Sequence, residues 1–189
     1  MTLTTRLRRG IIAGSIAAAA VALPTVALAS SAGVSTTANT TAVHRCYQTQ
    51  LRAWLGIPGS GAAGSTYYEL ELSNVSGQAC TLYGYPGVST LTSGHQDGSA
   101  ADRTPLHPST LVLLEPGATA HAILQITDVG NFPPSICDPV TANTIRVYAP
   151  GDYSALEFPF SVAACGKAGP IYLWVSATVA GTGIPGYST

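Results

Sequence analysis

Between Tyr67 and Asn74 the chain alternates: Tyr68, Leu70 and Leu72 share one parity, and Tyr67, Glu69 and Glu71 the other. Successive side chains of an extended chain point to opposite faces, so this period of two predicts a half-buried strand. Ala118 to Thr127 repeats the pattern, with Ala120, Ala122, Leu124 and Ile126 inward and Thr119, His121, Gln125 and Thr127 outward. Ile123 is the exception. Ile171 to Thr178 places Ile171, Leu173 and Val175 on one face, and Tyr172 and Trp174 on the other. Cys46 to Leu55 is a weaker strand, and Cys80 to Tyr85, Val88 to Leu91, Leu111 to Leu114, Ile145 to Tyr148 and Leu156 to Phe160 are shorter ones.

Glycine and proline divide these segments. Gly56 to Ser65 reads as a glycine-rich connection, Pro86-Gly87 as a break and Glu115-Pro116-Gly117 as a turn. In the last, proline presets φ and glycine is free to adopt a positive one. Thr92 to Pro108 is a polar loop, and Asn131-Phe132-Pro133-Pro134 belongs to a loop carrying Cys137. No segment has a credible helical period. Seven to eight short strands make an all-β fold, an antiparallel Ig-like β-sandwich.

The ends read differently. Arg6, Arg8 and Arg9 precede an uncharged apolar stretch from Ile11 to Leu28 that ends in Ala27-Leu28-Ala29. That is the pattern of a cleaved secretion signal over residues 1–29. Alanine dominates the stretch, and Gly10, Gly14 and Pro24 interrupt it, which disfavours a retained membrane span. Arg8-Arg9 half matches a twin-arginine signal, so both that route and the general secretory route stay open. The first cysteine, Cys46, lies too far downstream to accept a lipid. Residues 30–44 form a Ser/Thr/Ala-rich flexible leader, 45–180 the β domain and 181–189 a flexible tail. The expectation is a freely secreted protein without a membrane anchor.

Charge narrows the partners. Without residues 1–29 the chain keeps Arg45, Arg52, Arg103, Arg146 and Lys167 against nine acidic residues, so 5 − 9 gives a net charge of −4. That argues against nucleic acid and against charge-driven binding to anionic lipid. The four cysteines, Cys46, Cys80, Cys137 and Cys165, all fall after the signal. There is no C-x-x-C and no histidine at ligand spacing, so an oxidising compartment makes them two disulfides. Four cysteines permit three pairings; the strand layout favours Cys46–Cys80 and Cys137–Cys165. Antiparallel pairing of the first two strands unites one pair, and a hairpin between the Ile145 and Phe160 strands unites the other.

At Cys80-Thr81-Leu82-Tyr83-Gly84-Tyr85-Pro86-Gly87-Val88 the chain resembles a known family, the secreted actinobacterial domain of unknown function 4232. The likeness continues through Gly61 to Ser65, Leu72 to Gly77, Leu114 to Gly117 and Arg146 to Pro150, and spans about Cys46 to Thr178. The resemblance implies an extracytoplasmic β-sandwich of a high-GC Gram-positive bacterium. It brings no catalytic residues. Many relatives are lipoproteins, and the missing lipid-accepting cysteine separates this chain from them.

Several residues invite chemistry. Gly59-Ser60-Gly61-Ala62-Ala63-Gly64 fits G-x-G-x-x-G, but that motif holds a pyrophosphate only between a strand and a helix, and a strand follows here. His95, Asp97, Asp102 and His107, with His121, offer imidazoles and carboxylates that a hydrolase or a metal site would use. A solvated loop needs the same residues, and neither metal nor cofactor is expected. Glu69 and Glu71 lie about 7 Å apart at i, i+2, near the spacing of the paired carboxylates of a glycosidase, but two acids on an outward strand face far more often serve solubility and edge protection. No nucleophile elbow is present. Asn39-Thr40-Thr41 and Asn74-Val75-Ser76 match a glycosylation sequon too short to be informative.

Aromatics are the stronger signal. Tyr67, Tyr172 and Trp174 lie opposite the apolar stripes, and Tyr83 and Tyr85 fall in a glycine-broken segment. Such rings stack on sugars or anchor protein interfaces. The competing explanation is a parity shifted by one residue, which buries Trp174. The sequence therefore points to a secreted, non-enzymatic binding domain at or outside the cell envelope. Its partner would be cell-wall glycan or an extracellular protein, with a secreted hydrolase using the loop at 95–107 as the alternative and the oligomeric state open.

Overall fold

The computed structural model describes residues 42–184. The expected signal over 1–29, the expected leader up to residue 41 and residues 185–189 lie outside the described residues. Twelve strands run in chain order: β1 (Leu51–Ala62), β2 (Ser65–Asn74), β3 (Cys80–Tyr83), β4 (Gly87–Thr92), β5 (His95–Gln96), β6 (Asp102–Arg103), β7 (Leu111–Leu114), β8 (Thr119–Thr127), β9 (Pro139–Tyr148), β10 (Ala155–Cys165), β11 (Leu173–Val175) and β12 (Val179–Ala180). One sheet has the order β1-β2-β8-β11-β6, with β12 also on β8; a second is β10-β9-β4-β5; β3 and β7 form a third. Every strand pair is antiparallel except β6 with β11.

The inward aliphatic residues read from β2 and β8 are buried as expected, while Glu71 and Thr119 on the other parity are buried as well. Leu70, Leu72, Ala120, Ala122 and Leu124 are buried, and they share one core with Val88 of β4 and with Ile145 and Val147 of β9. An all-β, antiparallel fold with two disulfides is therefore as expected. Cys46–Cys80 and Cys137–Cys165 are bonded, with Cα separations of 4.8 and 4.5 Å. The predicted β9–β10 pairing delivers the second, with Pro139 opposite Cys165, whereas Cys46 lies ahead of β1 and meets Cys80 through a bridge between Arg45 and Thr81 of β3.

The differences have local causes. The expected connection at Gly56 to Ser65 is largely strand, because β2 holds β1 in register past two irregularities as far as Ala62. Only Ala63 and Gly64 turn, with φ of 48° and 75°. Two residues at positive φ make the two-residue hairpin whose twist matches the strands. The first strand starts at Leu51 rather than Cys46, after a 3₁₀ turn over Gln48–Gln50. A one-turn helix, α1 (Pro134–Cys137), opens on a proline that suits a helix start. The polar loop after Thr92 contributes the short strands β5 and β6. Of the expected flexible tail, residues 181–184 lie half-buried against the first sheet.

Asn74 is fully buried, so the second sequon is closed to modification in the folded protein; Asn39 lies outside the described residues. The Asn74 amide donates to the carbonyls of Gln78 and Leu114, and its oxygen accepts from the Ser76 backbone and hydroxyl. Asn74→Ala is expected to cost about 2–3 kcal/mol in urea unfolding, since it strands several of these groups. A cost below 0.5 kcal/mol would show that water replaces them.

Candidate functional site

The five aromatics singled out in the sequence go to four places. Tyr67 and Trp174 are half-buried and flank Gln125 in one cross-strand row, with Asp102 beyond Trp174. Tyr172 is not on this face: it is 0% exposed. Strand β11 begins at Leu173, and Tyr172 just before it, its carbonyl accepting from the Thr127 N–H at 2.8 Å, turns its ring inward. The Tyr172 hydroxyl instead lies 2.6 Å from Thr90 Oγ1 in the interior. Tyr83 is 63% exposed and stands directly opposite Leu111 on the outer face of β3 and β7, where Leu113 also points outward.

Tyr85 lines a groove. The cavity measures about 440 Å³ and includes Tyr85, Gly87, Arg103, Tyr148, Asp152 and Tyr153 in its walls. Gly87 opens β4 opposite Tyr148 at the end of β9. A Cβ there would sit 3.4 Å from Tyr148 Cβ, so glycine lets the ring lie close to backbone. The far wall is the turn after β9, where Gly151 takes φ 77°. Asp152 fixes that turn by accepting from the backbone N–H groups of Gln48, Tyr153 and Ser154 at 2.6, 2.7 and 3.2 Å. Desolvation works against its charge, but these donors and nearby Arg45 outweigh it and hold the carboxyl below its ordinary range. Arg45 braces the same turn by donating to the Gly151 carbonyl at 2.6 Å.

The groove presents stacking surfaces and directional donors together. Tyr153 is 90% exposed, while Tyr85 and Tyr148 are half-buried. The Arg103 guanidinium lies 5.1 Å from the centre of the Tyr85 ring. Stacking keeps that planar fork oriented with its donors free for an oxygen-rich ligand. Tyrosine faces pack on the C–H surface of a pyranose while phenols and guanidinium meet its hydroxyls. A second cavity of about 480 Å³ beside the β1–β2 turn is lined by small and aliphatic residues, the hydroxyl residues Ser65, Thr66 and Thr127, Tyr68, and Asp128 as its carboxylate. That carboxylate is occupied in capping the Val129–Asn131 turn.

The His/Asp loop does not assemble into one site. His95 is exposed on β5, and Asp102 on β6 accepts from the next backbone N–H. Asp97 is buried and accepts from Thr90 Oγ1 at 3.3 Å, while His107 sits edge-on to His121 with 6.0 Å between ring centres. Among the described residues, no three His, Cys, Asp or Glu side chains are posed to hold one metal ion. The G-x-G-x-x-G segment lies in β1 and its turn and leads into strand β2.

Sequence reasoning missed Tyr148 and Tyr153. Tyr148 is the last residue of a strand, and Tyr153 follows Pro150-Gly151-Asp152, a turn signal that places an aromatic at a loop tip. An aromatic in such a turn is the clue that parity along strands cannot supply.

No curated protein and no solved structure matches this chain. A family model described as a domain of unknown function, DUF4232, matches residues 46–178, from the first cysteine to the end of the buried Ser176-Ala177-Thr178 segment, and the chain belongs to that family.

Proposed function

We propose that the protein is a secreted, non-enzymatic binding domain that takes a carbohydrate of the cell envelope in the Tyr85–Tyr148–Tyr153 groove. The observation that carries this reading is three tyrosines and a ring-stacked Arg103 around one cavity whose far turn is braced by Asp152 and Arg45. Two disulfides in a chain with few charges fit an oxidising compartment. A protein partner is the second reading, favoured by Tyr83, Leu111 and Leu113 at 63, 69 and 50% exposure on one sheet face.

Sedimentation of the disulfide-bonded protein with isolated bacterial cell walls separates the two. Saturable binding is expected, weakened about tenfold by Tyr153→Ala or Tyr148→Ala, the ~1.4 kcal/mol that one aromatic contact supplies. Tyr83→Ala is expected to leave it unchanged. Absence of saturable binding to walls or to a soluble glycan panel would overturn the carbohydrate reading, and loss only with Tyr83→Ala would transfer the site to the β3–β7 face.

A further inference from the structure

Glu69 and Glu71 are outward-facing on β2, yet Glu71 is 0% exposed. Its cover is the chain after β12. The Gly181 N–H donates to the Thr119 carbonyl at 2.8 Å, and the Gly181 carbonyl lies 2.8 Å from His121 Nδ1. The Gly183 N–H donates to Glu71 Oε1 at 3.3 Å. A side chain at Gly183 would collide with the Glu69 carboxylate, so glycine is what lets the segment lie flat on it. Ile184 then closes over Gly56 of β1, with Cδ1 2.8 Å from where a Cβ would stand.

Beneath this cover the polar groups are incompletely matched. Glu71 stands directly opposite His121 of β8, and Glu69 Oε2 lies 3.8 Å from His121 Nε2. His107 reaches the same place from the loop before β7. Trp54 of β1, opposite Glu71, and the covering residues Gly181–Ile184 bring no ionisable side chain. Among the described residues, the buried side-chain polar atoms without a hydrogen-bond partner are Glu69 Oε2, Glu71 Oε2 and His107 Nε2. All three belong to this cluster. A neutral carboxyl tolerates a missing partner far better than a carboxylate does.

We propose that Gly181–Ile184 is a proton-controlled strap, closed over the first sheet while Glu71 carries a proton and released when that proton leaves. In the closed form Glu71 Oε1 accepts from Gly183 and the proton sits on Oε2. Burial pushes the Glu71 carboxyl up to about 7; His121 and the Gly183 N–H pull against that, and Glu69 adds a smaller push. With the strap open, Glu71 meets water and returns toward its ordinary 4.5. The closed form therefore binds the proton more tightly. Closure is complete below the open-form value, weakens as pH rises through about 7 and then levels off. Release uncovers two adjacent carboxylates at neutral to alkaline pH.

Amide exchange of Gly181 and Gly183 by ¹⁵N NMR, normalised to intrinsic rates, reads the strap directly. Protection is expected to fall at least tenfold between pH 5.5 and pH 8 in the wild type, and to stay flat in Glu71→Gln. Glu69→Gln is expected to keep the transition but move it to lower pH, because the neighbouring charge is gone. Gly183→Ala is expected to lose protection at every pH. Flat protection in the wild type, or an unchanged transition in Glu71→Gln, would overturn the proposal. If Glu71→Gln does not fold, the Glu69→Gln midpoint decides: a midpoint that stays in place or rises refutes it.

Discussion

Reducing both disulfides is expected to lower the stability of this domain by about 7 kcal/mol, a large share of what keeps it folded. Cys46–Cys80 and Cys137–Cys165 close loops with sequence separations of 34 and 28. Restoring that freedom to the unfolded chain costs about 3.5 kcal/mol for each bridge in the chain-entropy model. A domain of this size has only about 5–15 kcal/mol in total. Thermal unfolding by circular dichroism, with and without reductant, checks this; melting temperatures within 5 °C of each other would refute it.

The two bridges should also be separable. Cys137–Cys165 ties α1 to the end of β10, beside the Gly166 and Lys167 amides that donate to Asp138 and Cys137. Cys46–Cys80 ties the entering chain to β3, where the Cys46 N–H donates to the Thr81 carbonyl. That entering chain carries Arg45 and Gln48, which brace the Gly151–Asp152 turn of the groove. Replacing Cys46 and Cys80 by Ser is therefore expected to impair groove binding as well as stability, while the Cys137/Cys165 pair of substitutions acts on stability alone.

How far the sequence could be read follows from which forces are local. Alternation in β2 and β8 is enforced by one buried face along each whole strand, so the inward residues Leu70, Leu72, Ala122 and Leu124 were legible directly. Gly56 to Ala62 was not, because glycine and serine carry little strand preference of their own and their conformation is imposed by pairing with β2. Residues 181–184 looked like a tail for the same reason: their contacts are with β2 and β8, more than a hundred and about sixty residues away in sequence. Cys137–Cys165 was legible because neighbouring strands determine it; the Cys46–Cys80 pairing was named correctly although Cys46 reaches β3 from ahead of β1.

The groove was half legible. Tyr85 drew notice in its glycine-broken segment, but Tyr148 and Tyr153 meet it only through pairing of β4 with β9. Four imidazole and carboxylate groups close together in sequence looked more like a site than they are in space. A loop that crosses from one sheet to the other sends Asp97 inward and His107 to the opposite sheet. Nearness in sequence carries little weight in a fold built from distant pairings.

Tyr172→Ala is expected to cost about 4 kcal/mol, as large aromatic truncations in a packed interior do. The ring fills the space between the two large sheets, and its hydroxyl joins Thr90 of β4 at 2.6 Å and reaches the Asp97 carbonyl at 3.5 Å. Tyr172→Phe keeps the ring and removes only that link, so about 1–2 kcal/mol is expected. The phenol adds a pH signature. Burial pushes it up to about 12, against the Thr90 hydrogen bond and with help from the Asp97 charge. Because the folded value lies above the ordinary 10.0, its contribution is full below pH 10 and is lost as pH rises through about 12. Urea unfolding should accordingly show wild-type stability falling between pH 10 and pH 12 by more than that of Tyr172→Phe. Equal alkaline losses in the two proteins, or a cost below 1 kcal/mol for Tyr172→Ala, would return Tyr172 to the surface where strand parity had placed it.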